Sequence, residues 1–199
     1  MLDAIILDLG NVLAFHDNEL LFANMANAFG TTPDAMRARL DGGMWDQVNR
    51  GQLPGEALLG ELNARLSGTL SPGDWLRVWN SHFTINAPMV ELVERLIGRV
   101  TVVLLSNTHD QHLGYLRPML PVLERFNGLS LSYQVGAVKP ERAIYEHALR
   151  LAGTAPERTV FFDDVPRYAE AAAQVGMHGR VFTTHQRFVT QLAELGFTL

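Results

Sequence analysis

Ala4-Ile5-Ile6-Leu7-Asp8-Leu9-Gly10-Asn11-Val12-Leu13 is the stretch that decides the fold. An apolar run breaks off at a carboxylate and is followed by a Gly-Asn pair. A run this short, bounded by turn-forming residues, reads as a strand covered on both faces, as in a parallel sheet. Four further runs read the same way: residues 100–105, 129–133, 159–162 and 180–182. Helical patterns separate them. Residues 88–97 form an amphipathic stretch ending at Gly98. Residues 140–152 begin with Pro140 at the first helical position and end at Gly153. Residues 166–175 have Asp164 near the cap and Gly176 past the end. Strands alternating with helices predict an α/β doubly wound parallel sheet with a Rossmann-like core.

The interval between the first two runs far exceeds the ~10–12 residues that a crossover requires. It carries helical patterns over residues 19–29, 33–40, 55–66 and 72–83, and no segment that reads as a strand. Residues 16–86 are therefore expected to form a small all-helical cap inserted after the first strand. Residues 1–15 and 87–199 are expected to form the core. Trp75, Trp79 and Phe83 fall at i, i+4, i+8 and predict a buried stripe of that cap. Trp45 is the cap aromatic to watch as a substrate contact.

Composition narrows the classes. The hydrophobic share is 47% and the charged share 19% over 199 residues, a globular balance. The net charge of −5 comes without a run of basic residues, so no nucleic-acid partner is expected. There is no cysteine, which excludes thiolate ligands and a thiol nucleophile. Asp3 and Asp8 interrupt the first apolar run, so it does not read as a signal peptide, and no apolar run has the ~20 residues of a membrane span. The expectation is a soluble, cytoplasmic chain with no membrane partner. The oligomeric state is not legible. Lys139 is the sole lysine among 16 Lys and Arg residues, which invites a specific role for it.

Ligands in open α/β sheets bind beyond the carboxyl ends of the strands. At those ends stand Asp8, then Ser106-Asn107-Thr108, then Lys139, then Asp163-Asp164. Three carboxylates at one rim repel one another unless a cation neutralises them, and an all-oxygen set suits Mg2+. A metal, a lysine and hydroxyl or N–H donors together make a clamp for a phosphoryl group. A carboxylate beside such a clamp can attack phosphorus, and water then hydrolyses the aspartyl-phosphate.

These four blocks, in this order, resemble the haloacid dehalogenase (HAD) superfamily, and the helical insertion matches the place of its cap. Asp-Leu-Gly-Asn-Val, Ser-Asn-Thr, Lys-Pro-Glu and Phe-Phe-Asp-Asp are most similar to a subgroup that includes the bacterial α-glucose-1-phosphate phosphatase. The phosphatase domain of soluble epoxide hydrolases is a more distant relative. The resemblance implies Asp8 as nucleophile and metal ligand, the Gly10 carbonyl as a second ligand, Asp164 as a third, and Asp163 as a direct or water-bridged one. It implies phosphate binding by Ser106 and Asn107, with Lys139 holding both the phosphate and Asp8. The substrate expected under a lid is a small phosphorylated metabolite, sugar phosphates first.

One departure stands out. Most phosphatases of the superfamily carry an acid–base Asp two residues after the nucleophile, where this chain has Gly10. Three explanations are open: His16 or Asp17 donates the proton, the substrate has a good leaving group, or activity is low. Two other readings of the chain are a metal-independent 2-haloacid dehalogenase and a non-catalytic phosphate- or partner-binding protein. His109 and His112 are expected to face solvent.

Overall fold

The computed structural model describes residues 2–41 and 43–199. In chain order its strands and α-helices are β1 (Ala4–Leu7), β2 (Ala14–His16), α1 (Asn18–Ala28), α2 (Pro33–Asp41), α3 (Met44–Asn49), α4 (Gly55–Leu66), α5 (Pro72–Trp79), β3 (Phe83–Ile85), α6 (Ala87–Leu96), β4 (Thr101–Ser106), α7 (Asp110–Leu116), β5 (Gly128–Leu131), α8 (Ser132–Val135), α9 (Arg142–Ala152), β6 (Thr159–Asp163), α10 (Pro166–Gln174), β7 (His178–Val181) and α11 (His185–Glu194). Five strands pair in parallel in the order β5-β4-β1-β6-β7. The expected doubly wound sheet is borne out.

Alternation along β1 shows why both faces are covered. Ile5 and Leu7 point to a cluster with Met89, Val93 and Leu96 of α6 and Phe188 and Leu192 of α11. Ala4 and Ile6 point the other way, to Ile144, Tyr145 and Ala148 of α9 and Ala172 of α10. Successive strand residues face opposite sides, so a strand apolar at every position needs a helical layer on each. The inserted helices carry their own cluster, built from Leu21 and Met25 of α1, Leu40 of α2, Leu58 and Leu62 of α4, and Trp75 and Trp79 of α5.

The insertion is not wholly helical. β2 pairs antiparallel with β3, matching His16 with Phe83, so a two-stranded ribbon carries the chain into and out of the insertion. Each strand has only three residues, and Phe15 at the centre of β2 is exposed, too short a pattern for a period to be read. Phe83 thus lies on a strand; α5 ends at Trp79, while Trp75 and Trp79 are buried as expected. The helix after Lys139 begins at Arg142 rather than at Pro140. Glu141 N–H donates to the Val138 carbonyl at 2.7 Å, closing a turn first.

The insertion docks closely on the core. A side-chain carbon on Gly51 would lie 2.2 Å from the Tyr133 carbonyl oxygen, so only glycine seats there. Arg50 donates two hydrogen bonds to Glu141, at 3.1 and 2.5 Å, which joins the end of α3 to the turn after Lys139. Trp75 Nε1 donates to Gln111 Oε1 of α7 at 2.9 Å.

Candidate active site

Parallel strands end on one side of the sheet, and the four blocks meet there. Asp8 follows β1, Ser106 closes β4, Asp163 closes β6 and Asp164 follows it. Asn107, just past β4, reaches the turn that follows α8: its Oδ1 accepts from Lys139 N–H at 2.7 Å and its Nδ2 donates to the Lys139 carbonyl at 3.1 Å. Asn107 thereby fixes the backbone of Lys139 while one hydrogen of its Nδ2 stays uncommitted at the cavity wall. Ser106 is buried and lines the same cavity.

Lys139 Nζ lies 2.8 Å from Asp8 Oδ1 and 2.5 Å from Asp163 Oδ2. All three groups are buried. Leu9 N–H also donates to Asp8 Oδ1, at 2.7 Å, and Val165 N–H to Asp163 Oδ1, at 2.9 Å. Asp163 thus spends an oxygen on each partner. Asp8 keeps Oδ2 clear of these bonds. Burial pushes the Asp8 carboxyl up, with Asp163 adding to the rise and the Lys139 ammonium opposing it. Burial alone would lower Lys139, but the two carboxylates reverse this and raise it.

Ligand oxygens of Asp8, Asp163 and Asp164 lie within 4.8 Å of one another. Three carboxylates and one ammonium leave two formal negative charges at the floor of the cleft. A hard divalent cation fits that donor set and that charge, since carboxylate oxygens are its preferred ligands. No other such group occurs among the described residues.

Gly10 is where the geometry is most informative. A side-chain carbon built on it would lie 3.0 Å from His16 Nε2 and 3.8 Å from Asp8 Oδ2. The imidazole of His16 therefore borders the space that a second carboxylate would enter. Asp17, by contrast, caps α1, accepting from Leu20 N–H at 3.1 Å, and is exposed; its role there is helix capping.

A cavity of about 540 Å³ opens above the carboxylates. The core supplies Ser106, Thr108 and Tyr168 to its wall; the insertion supplies Asn18, Leu40, Trp45 and Asn49. His82 and His112 also line it. The expectation that His109 and His112 face solvent is wrong. Both are buried against Trp79, which stacks on His109 with ring centroids 5.2 Å apart. Docking of α5 on α7 covers them, a contact between segments too far apart in sequence for periodicity to show. Burial, then the neighbouring histidine His16, lowers His82 to about 4; burial and then His82 lower His109 to about 3. Reading the sequence missed His82 and Tyr168. Tyr168 lies in the first turn of α10, just past the Asp163-Asp164 pair, and that closeness to the fourth block is the signal that could have found it.

The family model for haloacid dehalogenase-like hydrolases matches residues 2–176. Among curated proteins, the sesquiterpene phosphatase astK of Aspergillus oryzae is 28% identical over 156 residues, covering 76% of this chain and 78% of its own. An HAD family enzyme of Bacteroides thetaiotaomicron, solved in complex with magnesium and inorganic phosphate, is 25% identical, with a TM-score of 0.80, covering 92% of this chain and 94% of its own. A predicted HAD-like family hydrolase of Porphyromonas gingivalis covers 100% of both chains with a TM-score of 0.87; at 22% identity it shows the fold alone. With the family model spanning both the carboxylate rim and the inserted helices, the chain belongs to the haloacid dehalogenase-like hydrolases.

Proposed function

We propose that this chain is a Mg2+-dependent phosphatase that hydrolyses a small phosphomonoester through an aspartyl-phosphate on Asp8. The observation that carries the reading is the buried Asp8–Lys139–Asp163 cluster, with Asp164 completing its carboxylate set. The phosphate-bound relative and the phosphatase relative support the same class of reaction. A 2-haloacid would bring its own carboxylate to a site that already holds three, which argues against a dehalogenase.

Asp8, Asp164 and the Gly10 carbonyl would hold Mg2+, with Asp163 behind them fixed by Lys139. Bound there, Mg2+ neutralises charge on the phosphoryl oxygens and on the ligand carboxylates. Lys139 and Ser106 orient the phosphoryl group over Asp8. The free oxygen of Asp8 forms a bond to phosphorus as the ester P–O bond breaks, and the leaving oxygen takes a proton. A water then attacks phosphorus, the P–O bond to Asp8 breaks, and the carboxylate is restored with release of inorganic phosphate.

His16 is the proton carrier of this reading. As imidazolium it gives a proton to the leaving oxygen; as the neutral ring it takes one from the attacking water. Asp17 is left with its helix.

Sugar phosphates remain the favoured substrates, because Asn18, Asn49 and Asp41 give the cavity wall hydrogen-bonding groups beside Trp45. An isoprenoid phosphate is the second reading, favoured by the sesquiterpene phosphatase relative and by Leu40, Phe83 and Tyr168 on the same wall. The test is hydrolysis of para-nitrophenyl phosphate with and without Mg2+. Turnover that needs Mg2+ and vanishes in Asp8→Asn is expected. Turnover equal to that of Asp8→Asn would sink the phosphatase reading, and a panel of sugar and prenyl monophosphates then ranks the substrates.

A further inference from the structure

Asn11 has φ of 53°, in the left-handed region that glycine adopts at no cost. Asparagine tolerates that region better than most residues, but the turn itself needs only backbone: Asn11 N–H donates to the Ala14 carbonyl at 2.8 Å. The carboxamide is engaged elsewhere. Its Oδ1 accepts from His16 N–H at 3.2 Å. Its Nδ2 donates to Asp164 Oδ2 at 2.8 Å and also lies 3.3 Å from His16 Nε2. An amide nitrogen has two hydrogens and no acceptor pair, so it donates to Nε2 only while the His16 ring is neutral with its proton on Nδ1, and Nε2 leaves this contact when it takes up or carries a proton.

One side chain therefore ties two groups from distant parts of the chain. Through the backbone N–H and the ring it keeps the imidazole of His16 at the edge of the space beside Asp8, the space left by the absent side chain of Gly10. It also fixes one oxygen of Asp164, leaving the other for a ligand. We propose that Asn11 is a positioning residue, holding the imidazole of His16 and the carboxylate of Asp164 in register across Asp8. The proposal rests on the phosphatase reading for its His16 half; its Asp164 half concerns Mg2+ binding alone.

The test uses Asn11→Gly and Asn11→Asp in the full chain. Both residues accept a left-handed backbone, so both variants are expected to fold. Glycine removes every side-chain contact and relaxes the backbone. Aspartate keeps the acceptor for His16 N–H but offers no N–H, and sets a further carboxylate against Asp164. Calorimetric titration with Mg2+ alone is expected to show affinity weakened by about 10- to 100-fold in Asn11→Gly, the usual effect of losing a group that orients a metal ligand, and a smaller loss in Asn11→Asp, where the added carboxylate attracts the cation. At saturating Mg2+, turnover of an alkyl phosphate is expected to fall by about 10- to 100-fold, as misplacement of a reacting group does, while that of para-nitrophenyl phosphate falls little.

Unchanged Mg2+ affinity overturns the Asp164 half. An unchanged alkyl-to-aryl ratio overturns the His16 half. Should wild type itself show no turnover dependent on Asp8, the phosphatase reading fails and the His16 half with it, while the Mg2+ titration still decides the hold on Asp164.

Discussion

Putting back the missing carboxylate by Gly10→Asp is expected to harm the protein rather than improve it. The first side-chain carbon alone would meet His16 Nε2 at 3.0 Å and Cδ2 at 3.1 Å, a few tenths of an ångström inside ordinary contact. The carboxylate beyond it must displace the ring. Overpacking of this kind costs about 1–3 kcal/mol, which for a chain of this size lowers the thermal midpoint by about 2–12 °C, taking roughly 2–4 °C per kcal/mol. The new charge also joins Asp8, whose Oδ2 is 3.8 Å from the inserted carbon, so the loss is expected to be larger without Mg2+ than with it. His16→Ala removes the ring. In Gly10→Asp/His16→Ala the midpoint is expected to recover, with a coupling energy of about 0.5–3 kcal/mol between the two sites. The double variant is also expected to hydrolyse alkyl phosphates faster than His16→Ala alone, because a carboxylate again stands beside Asp8 as acid and base. Differential scanning calorimetry of the four proteins measures the cycle. Additive effects, or a Gly10→Asp protein as stable as wild type, would refute the claim that His16 occupies the space the usual aspartate fills.

Two further outcomes follow from buried charge. Lys139→Met leaves Asp8 and Asp163 facing each other without their shared ammonium, 2.8 and 2.5 Å from their oxygens in wild type; a loss of about 3–5 kcal/mol is expected in urea unfolding without Mg2+, and a loss under about 1 kcal/mol would contradict the burial argument. His82 and His109 are lowered to about 4 and about 3, against 6.5 in the unfolded chain. Above pH 6.5 neither state takes protons there; below it the unfolded chain takes protons that the folded one refuses, so stability is expected to fall as pH drops from 6.5 toward 4. The groups facing this pair are His16, Asp17, His112, Trp79 and, beside His109, Asp110. Comparison of urea midpoints at pH 7 and pH 5 in wild type and His82→Phe isolates the histidine share, because the carboxylates are common to both; an equal slope in the two proteins would remove His82 from the account.

The legible part of the molecule was the part in which neighbours in sequence are neighbours in function. Ala4–Leu7 announces a doubly covered strand because it has no polar position, and the residue ending each strand falls on the rim by topology alone. The rest depended on contacts between segments with no sequence relation. The ribbon of Ala14–His16 and Phe83–Ile85 joins residues far apart in the chain through three matched pairs, and a three-residue strand carries no period. His109 and His112 read as surface positions because the surface covering them, Trp79, belongs to the insertion. Asn107 was expected to touch phosphate; that its carboxamide also holds the backbone of Lys139 was not legible, because the two residues belong to separate segments. Gly10 was legible as an absence; that His16 fills the space was not, since only the ribbon brings that ring back to Asp8.

The central claim is covalent attack by Asp8, and it is tested most directly by trapping. Enzyme mixed with Mg2+ and a slowly hydrolysed phosphomonoester is quenched in acid during turnover, digested and analysed by mass spectrometry. A phosphoryl group on the peptide containing Asp8, present in wild type and absent in Asp8→Asn, is the expected result. Turnover with no phosphoryl group on that peptide at any quench time, and hydrolysis persisting in Asp8→Asn, would show that water attacks phosphorus directly and that Asp8 is not the nucleophile.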